Sequence, residues 1–266
     1  MQKLESVRGL ILDMDGVLWL GDQPIGDLPA AFERIRQLEL KTTLVTNNAS
    51  RSVSFFLEKL RSFEVELEDW QVISSGHALV YLLKKDYPNI KRLFLMGEQG
   101  LEELLAEEGY QLVEQDAEAV VVSLDRQVTY DKLRQGSRMV RDGALLIATN
   151  RDPTLPRPDG LDPGAGVMVV AMETASGVNA SFAGKPMPYA YQLAIERMGI
   201  SPTETLVVGD RLATDIAGAQ ELGCPTALVL SGVSTVEDAR NWSPEPDLVV
   251  EDLSAVLELL SSGRFT

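Results

Sequence analysis

The 266-residue chain suits one large domain or two modest ones, and it is long enough to bury a core without covalent staples. Hydrophobic residues make up 45% and charged residues 24%, proportions that exclude whole-chain disorder. Lys and Arg number 24 against 40 Asp and Glu, and the net charge of −16 argues against nucleic-acid and membrane-surface partners while leaving room for a small anion at a local positive site.

Residues 8–13 (RGLILD) are an apolar run ending in an acid, which suits a buried parallel strand. Residues 29–39 place Ala31, Phe32, Ile35 and Leu38 at helical spacing. Residues 42–46 (TTLVT) read as a strand, 52–61 as a helix and 72–74 as a short strand, and His77 opens a helix running to Lys85. The rhythm β-α-β-α-β is that of a doubly wound sheet.

The middle repeats it. Strands are predicted at 93–96, 119–124 and 144–148, and helices at 98–108 and 130–142, with Pro88 marking the first boundary. Residues 150–166 (NRDPTLPRPDGLDPGAG) are rich in Pro and Gly and read as a long functional or mobile loop. Residues 167–176 read as a buried helix stopped by Gly177. The last third resumes the first pattern: helix 187–198, strand 205–209, helix 215–222, strand 227–230, strand 248–250 and helix 252–261. The fold class is therefore α/β, a doubly wound parallel Rossmann-like core built from both ends of the chain, with an α/β insertion between them.

One cysteine, Cys224, and one histidine, His77, exclude an internal disulfide and a structural zinc site. A Ser-His or Cys-His hydrolase would have to use His77, which at a helix start in the core reads better as structural. Hard cations held by carboxylates remain open. The segment MQKLESVRGLILDMDG has no apolar signal core, and no apolar run approaches the roughly 18 residues of a membrane span, so a cytoplasmic protein is expected.

Four short motifs carry chemistry. Asp13 and Asp15 follow the first strand, where open α/β sheets bind ligands; one carboxylate can attack or hold a metal while the other moves a proton. Gly16 permits a tight path beyond them. Thr46, Asn47 and Asn48 follow the second strand and offer a hydroxyl, amides and backbone N–H groups to an oxyanion, or a turn and cap for the next helix. Gly184-Lys185-Pro186 offers a cation. It is not a P-loop, because position 179 is Asn and Pro186 stands where Ser or Thr is needed. Gly164-Ala165-Gly166 likewise fails as a dinucleotide motif, since Val169 occupies the third glycine position. Asp210 and Asp215, in GDRLATD after the strand at 205–209, suit a divalent cation, or a turn and a helix start.

The order DxDGV, hydrophobic-T, GKP, GDxxxxD resembles the phosphatases of the haloacid-dehalogenase-like superfamily. GLILDMDGVLW, LVTNNAS, the PGAG turn, AGKP and VVGDRLATDI together are similar to the subfamily of p-nitrophenylphosphatase, NagD-type and pyridoxal-phosphate phosphatases, and this resemblance spans the whole chain. It implies an aspartyl-phosphate nucleophile at Asp13, a general acid/base at Asp15 and phosphate ligands at Thr46 and Asn47, with Asn48 beside them. It implies a balancing cation at Lys185 and a Mg²⁺ site at Asp13, Asp15 (through its carbonyl), Asp210 and Asp215, the last as a supporting acid. It further implies a core of residues 1–86 and 180–266 and a cap of residues 87–179. In the cap's loop Asn150, Arg151 and Asp152 are either within reach of the leaving group, with Arg151 as the candidate substrate ligand, or part of a Pro-rich connection only. Ala213 departs from the polar residue common at that point of the fourth motif.

The expected activity is Mg²⁺-dependent hydrolysis of a small phosphorylated metabolite, with two copies pairing through the cap compatible with the resemblance. The rivals are a phosphomutase and a non-catalytic phospholigand-binding protein on the same fold. The intact acids and lysine speak against the latter.

Overall fold

The computed structural model describes residues 2–157 and 160–263. Two compact units emerge: Met1–Thr46, Ser54–Ile73 and Tyr191–Thr266 in one, Asn47–Val53 and Ser74–Ala190 in the other. Among the described residues no helix is long and apolar enough to cross a membrane.

The first unit is built on a six-stranded sheet in the order Leu248–Val250, Thr226–Val229, Thr205–Gly209, Gly9–Leu12, Lys41–Thr46 and Val72–Ser74. Gly9–Leu12 is fully buried and runs parallel to both neighbours, with Leu12 opposite Val208 on one side and Leu44 on the other. The chain winds outward one way from this strand and later the other way, so the strand order reverses beside it. Open α/β sheets bind ligands at that point, outside the carboxyl ends of the strands. Helix Leu28–Gln37 turns Leu28, Ala31, Phe32 and Ile35 inward. It begins where Asp27 accepts the Ala30 amide at 3.0 Å, and Arg34 and Arg36 end it favourably for the helix dipole. Helix Leu253–Ser262 starts on Asp252 in the same manner and stops at Gly263 in the left-handed region.

The second unit holds a five-stranded parallel sheet in the order Ser181–Phe182, Leu145–Ala148, Ala119–Val122, Arg92–Met96 and Gln111–Leu112. Phe94, Met96, Val120, Val122, Leu146 and Ala148 pack against Val169 and Met172 of helix Ala165–Ser176. Gly136 in the neighbouring helix Tyr130–Arg141 admits Met172, since a Cβ there would lie 3.0 Å from its Cε.

Two local expectations change. Residues 150–166 are not a plain loop: Thr154–Arg157 and Gly160–Pro163 form an antiparallel ribbon with Leu155 opposite Asp162, while residues 158 and 159 lie outside the described residues. A two-stranded ribbon has free edges, so the amide that Pro156 lacks is not needed for pairing. The helix expected at 215–222 begins earlier, as a wide turn over Leu212–Ile216 that continues into helix Ala217–Glu221. Its amides reach back five residues, as Ile216 N does to Arg211 O, a pattern common at functional sites.

Candidate active site

Asp13 leaves the central strand with its amide bonded to Val208 O at 2.9 Å, and Asp210 leaves the adjacent strand one residue after Gly209. The wide turn then carries Asp215 back to them. One carboxylate oxygen from each of Asp13, Asp210 and Asp215 lies within 4.8 Å of the others. Asp13 is half-buried, and the other two are 1% exposed. Three acids this close repel one another, a charge that amide hydrogen bonds reduce and that protons or a cation can neutralise.

The backbone is shaped around these acids. Asp210 Oδ2 accepts the Val233 amide at 2.8 Å, and Asp215 Oδ2 accepts the Arg211 amide at 3.1 Å. A Cβ at Gly16 would fall 2.5 Å from Asp210 Oδ2, one at Gly232 2.1 Å from the same atom, and one at Gly209 2.2 Å from Asp215 Cβ. Hard oxygen donors at this spacing, in a cradle of glycines, fit a divalent cation such as Mg²⁺. Residues 231–234 were not foreseen. Ser231 Oγ donates to Gly16 O at 2.7 Å, and the Ser234 amide donates to Asp210 O at 3.1 Å. The available signal was Ser231-Gly232 directly after a predicted strand, another carboxyl end.

The Asp15 carboxylate stands outside this acid cluster. It is exposed, and its Oδ1 accepts a hydrogen bond from Trp19 Nε1 at 3.0 Å. Thr46 is buried at the carboxyl end of its strand.

A second group of predicted residues meets within the other unit. Asn47 Oδ1 accepts the Lys185 amide at 2.8 Å, while its Nδ2 donates to Lys185 O at 3.2 Å and to Asp152 Oδ2 at 3.2 Å. Asn150 Nδ2 and Ser75 Oγ both donate to Asn47 O, at 2.8 and 2.5 Å. The Asn47 side chain is therefore occupied with protein partners. Lys185 is 6% exposed, and Gly184 before it has room for no side chain, because a Cβ would lie 2.4 Å from Thr149 O.

Asn48 builds the turn that sequence offered as its other role: Oδ1 accepts both the amide and the hydroxyl of Ser50, at 3.0 and 2.8 Å. Arg151 pairs with Glu173 at 3.0 Å and lies 4.5 Å over the Phe182 ring, yet 62% of its side chain stays exposed. Gly164 and Gly166 allow the backbone at Arg151 and Asp152 to lie close against the start of helix Ala165–Ser176, with the Gly166 amide on Asp152 O at 2.9 Å.

The other nucleophile chemistries find no support. His77 Nδ1 accepts the Ser74 amide at 3.2 Å and closes the start of helix Ser75–Asp86. Burial pushes the Cys224 thiol up to about 12, far from the thiolate a nucleophile needs.

Comparison with known proteins identifies the family. The family of haloacid dehalogenase-like hydrolases matches residues 10–111, and a HAD-hydrolase-like family matches residues 182–256. The chain is 31% identical to the acid sugar phosphatase of Staphylococcus aureus over 96% of its own length and 99% of that protein's. It superposes on a 4-nitrophenylphosphatase from Thermotoga maritima with a TM-score of 0.90 at 29% identity, covering 97% of this chain and 99% of the other. A glycerol phosphate phosphatase from Mycobacterium tuberculosis, solved with magnesium, gives a TM-score of 0.88 at 33% identity over 97% of this chain and 79% of its own.

Proposed function

The chain belongs to the haloacid dehalogenase-like hydrolases, in their p-nitrophenylphosphatase and NagD-type subfamily, and is a phosphomonoesterase; from that premise we propose that it hydrolyses small phosphorylated metabolites, sugar phosphates among them, with Mg²⁺ and through an aspartyl phosphate on Asp13. The observation that carries the reading is the meeting of Asp13, Asp210 and Asp215 beyond the carboxyl ends of the two central strands.

In this reading Asp13, Asp210, Asp215 and the Asp15 carbonyl hold the cation. Mg²⁺, when bound, supplies the positive charge that lets an anionic carboxylate approach an anionic phosphate. Asp13 forms a bond to phosphorus. Asp15 gives its proton to the departing alkoxide, then takes one from the water that attacks the intermediate. Phosphate leaves, and the Asp13 carboxylate is restored. Thr46 and Asn47 hold the phosphoryl oxygens, Asn47 through its backbone with Asn48 shaping the turn. Lys185 balances the charge of Asp13 and phosphate. The insertion at 87–179 acts as the cap, where Arg151 meets the leaving group, and two copies pair through it in the cytoplasm.

The test is release of p-nitrophenol and phosphate from p-nitrophenyl phosphate with Mg²⁺, followed by a screen of phosphorylated metabolites by kcat/KM. Asp13→Asn, nearly isosteric but unable to attack as an anion, should keep the fold and lose turnover. Wild-type-like turnover by that variant sinks the proposal.

A further inference from the structure

Asp15 is an exposed carboxylate on a short loop, yet one of its oxygens is held by a buried ring. Trp19, 1% exposed, donates from Nε1 to Asp15 Oδ1 at 3.0 Å. The loop between them closes on one carbonyl. The amides of Val17, Leu18 and Trp19 point at Met14 O, at 3.3, 2.8 and 3.3 Å, and the Gly16 amide reaches Trp19 O at 2.8 Å. Gly16 makes the turn with φ +87, a region that favours glycine.

The indole is gripped from other sides too. Phe63 lies against it with ring centroids 6.1 Å apart. Lys59 Nζ stands 4.5 Å above the ring and donates to Gly21 O at 2.6 Å, across the same hairpin. A cation over the face of an indole is attracted to it, and here it pins the ring in place. A ring so held cannot follow a mobile side chain, so the side chain follows the ring.

We propose that Trp19 is the positioning residue for proton transfer by Asp15, an inference that rests on the phosphatase reading above. An indole N–H donates and never accepts. Oδ1 is thereby engaged as an acceptor, and the proton exchanged with substrate is carried on Oδ2. In the first half-reaction the Asp13–phosphorus bond forms, the bond from phosphorus to the leaving oxygen breaks, and the Oδ2 proton passes to that oxygen. In the second, the water oxygen bonds to phosphorus, a water proton passes to Oδ2, and the Asp13–phosphorus bond breaks. Without the indole bond the exposed Asp15 side chain samples several rotamers, and both transfers wait for the competent one.

The two half-reactions give the test its discrimination. An alkyl phosphate needs the proton to release its alkoxide. p-Nitrophenyl phosphate needs little help, because nitrophenolate is a stable anion, but its phosphoenzyme still needs Asp15 as a base. Trp19→Phe keeps an apolar ring and removes the N–H. With glycerol phosphate, kcat/KM should fall by about tenfold or more, part of the roughly 10²–10⁴ that general acid catalysis contributes. With p-nitrophenyl phosphate, kcat and KM should fall together, leaving kcat/KM within about threefold, and rapid mixing should show a larger burst of nitrophenol.

Benzothienylalanine at position 19, which replaces the indole N–H by sulfur in a ring of the same shape, should reproduce the pattern and covers the case in which Trp19→Phe packs poorly. Equal losses of kcat/KM on both esters in the benzothienyl protein, with no change in burst, overturn the inference while leaving the phosphatase reading intact. Turnover by Asp13→Asn overturns both.

Discussion

Asn47 grips Lys185 by both polar groups of its backbone, its Oδ1 taking the amide and its Nδ2 giving to the carbonyl. Lys185 is nearly buried, and the one Asn47 side chain holds its main chain at both the amide and the carbonyl. Asp152 shares the same Nδ2, and the residue before it, Arg151, is the one expected at the leaving group.

Asn47→Ala should thus behave as a weakened Lys185→Ala. It removes two hydrogen bonds to the Lys185 backbone, at about 0.5–1.5 kcal/mol each, and should lower the melting temperature measurably. Turnover of every phosphate ester should drop by a similar factor, because each presents the same phosphate. Asn47→Asp should be worse than a near-isostere warrants, since it sets a carboxylate against Asp152. Melting curves and kcat on three esters check both variants; an Asn47→Ala enzyme with native rates and stability contradicts the assignment.

The glycine beside Asp210 predicts metal affinity. In Gly232→Ala the new methyl would sit 2.1 Å from Asp210 Oδ2 and push the carboxylate out of the cluster. Displacing groups around a metal site commonly costs about 10–100-fold in affinity, and the Mg²⁺ concentration for half-maximal activity should rise accordingly. In the parent enzyme EDTA should abolish activity and Mg²⁺ restore it, with Ca²⁺ a poor substitute because its longer, more numerous contacts relax the placement of Asp13. Calorimetric Mg²⁺ titration of the variant, read beside activity, separates lost affinity from lost chemistry.

Arg151 and Lys185 should part company across substrates. Lys185→Ala should slow every ester by roughly 10²–10³, the usual loss when preorganised charge is removed. Arg151→Ala should reorder natural esters while sparing p-nitrophenyl phosphate. The Arg151 side chain is 62% exposed, and its more buried partner Glu173 keeps the Ala180 amide, so stability should change by less than about 1 kcal/mol. If all three esters lose equally with Arg151→Ala, the arginine is only a brace between Glu173 and Phe182.

Cys224 offers a pH prediction. Burial raises its thiol from 9.0 to about 12, so the native protein keeps it protonated where the unfolded chain would ionise. Its contribution to stability is fully present below pH 9 and is lost as pH rises toward 12. At pH 8, Ellman's reagent should leave the folded protein unlabelled and titrate one thiol in denaturant. Rapid labelling without denaturant would show the thiol is accessible.

Much of the fold was legible because buried parallel strands announce themselves. GLIL is an unbroken apolar run and TLVVG is apolar after its first residue, and the acids after them mark the carboxyl ends. Helix Leu28–Gln37 was equally plain from its spacing. The two-residue strands at Trp19–Leu20 and Gln23–Pro24 carry too few positions for any period to show. The ribbon at 154–163 was hidden by its prolines, which usually deny a strand. At the site, strand ends identified Asp13 and Asp210, but nothing local could reveal that Asn47 would turn to Lys185 or that Gly232 would face Asp210. Those contacts join residues far apart in sequence, and only the folded chain supplies them.

The register of the central strand also sets an order of events during synthesis. Leu12 pairs with both Leu44 and Val208, so half of its hydrogen-bonding edge waits until most of the chain has been made. Until then that apolar edge is open, a pairing surface for stray strands. The segment Ser74–Ala190 has no such debt within its own sheet and is complete before residue 205 emerges. The acid cluster joins Asp13 to Asp210 and Asp215 from the far end of the sequence, so a chain stopped before Asp210 carries Asp13 without either partner.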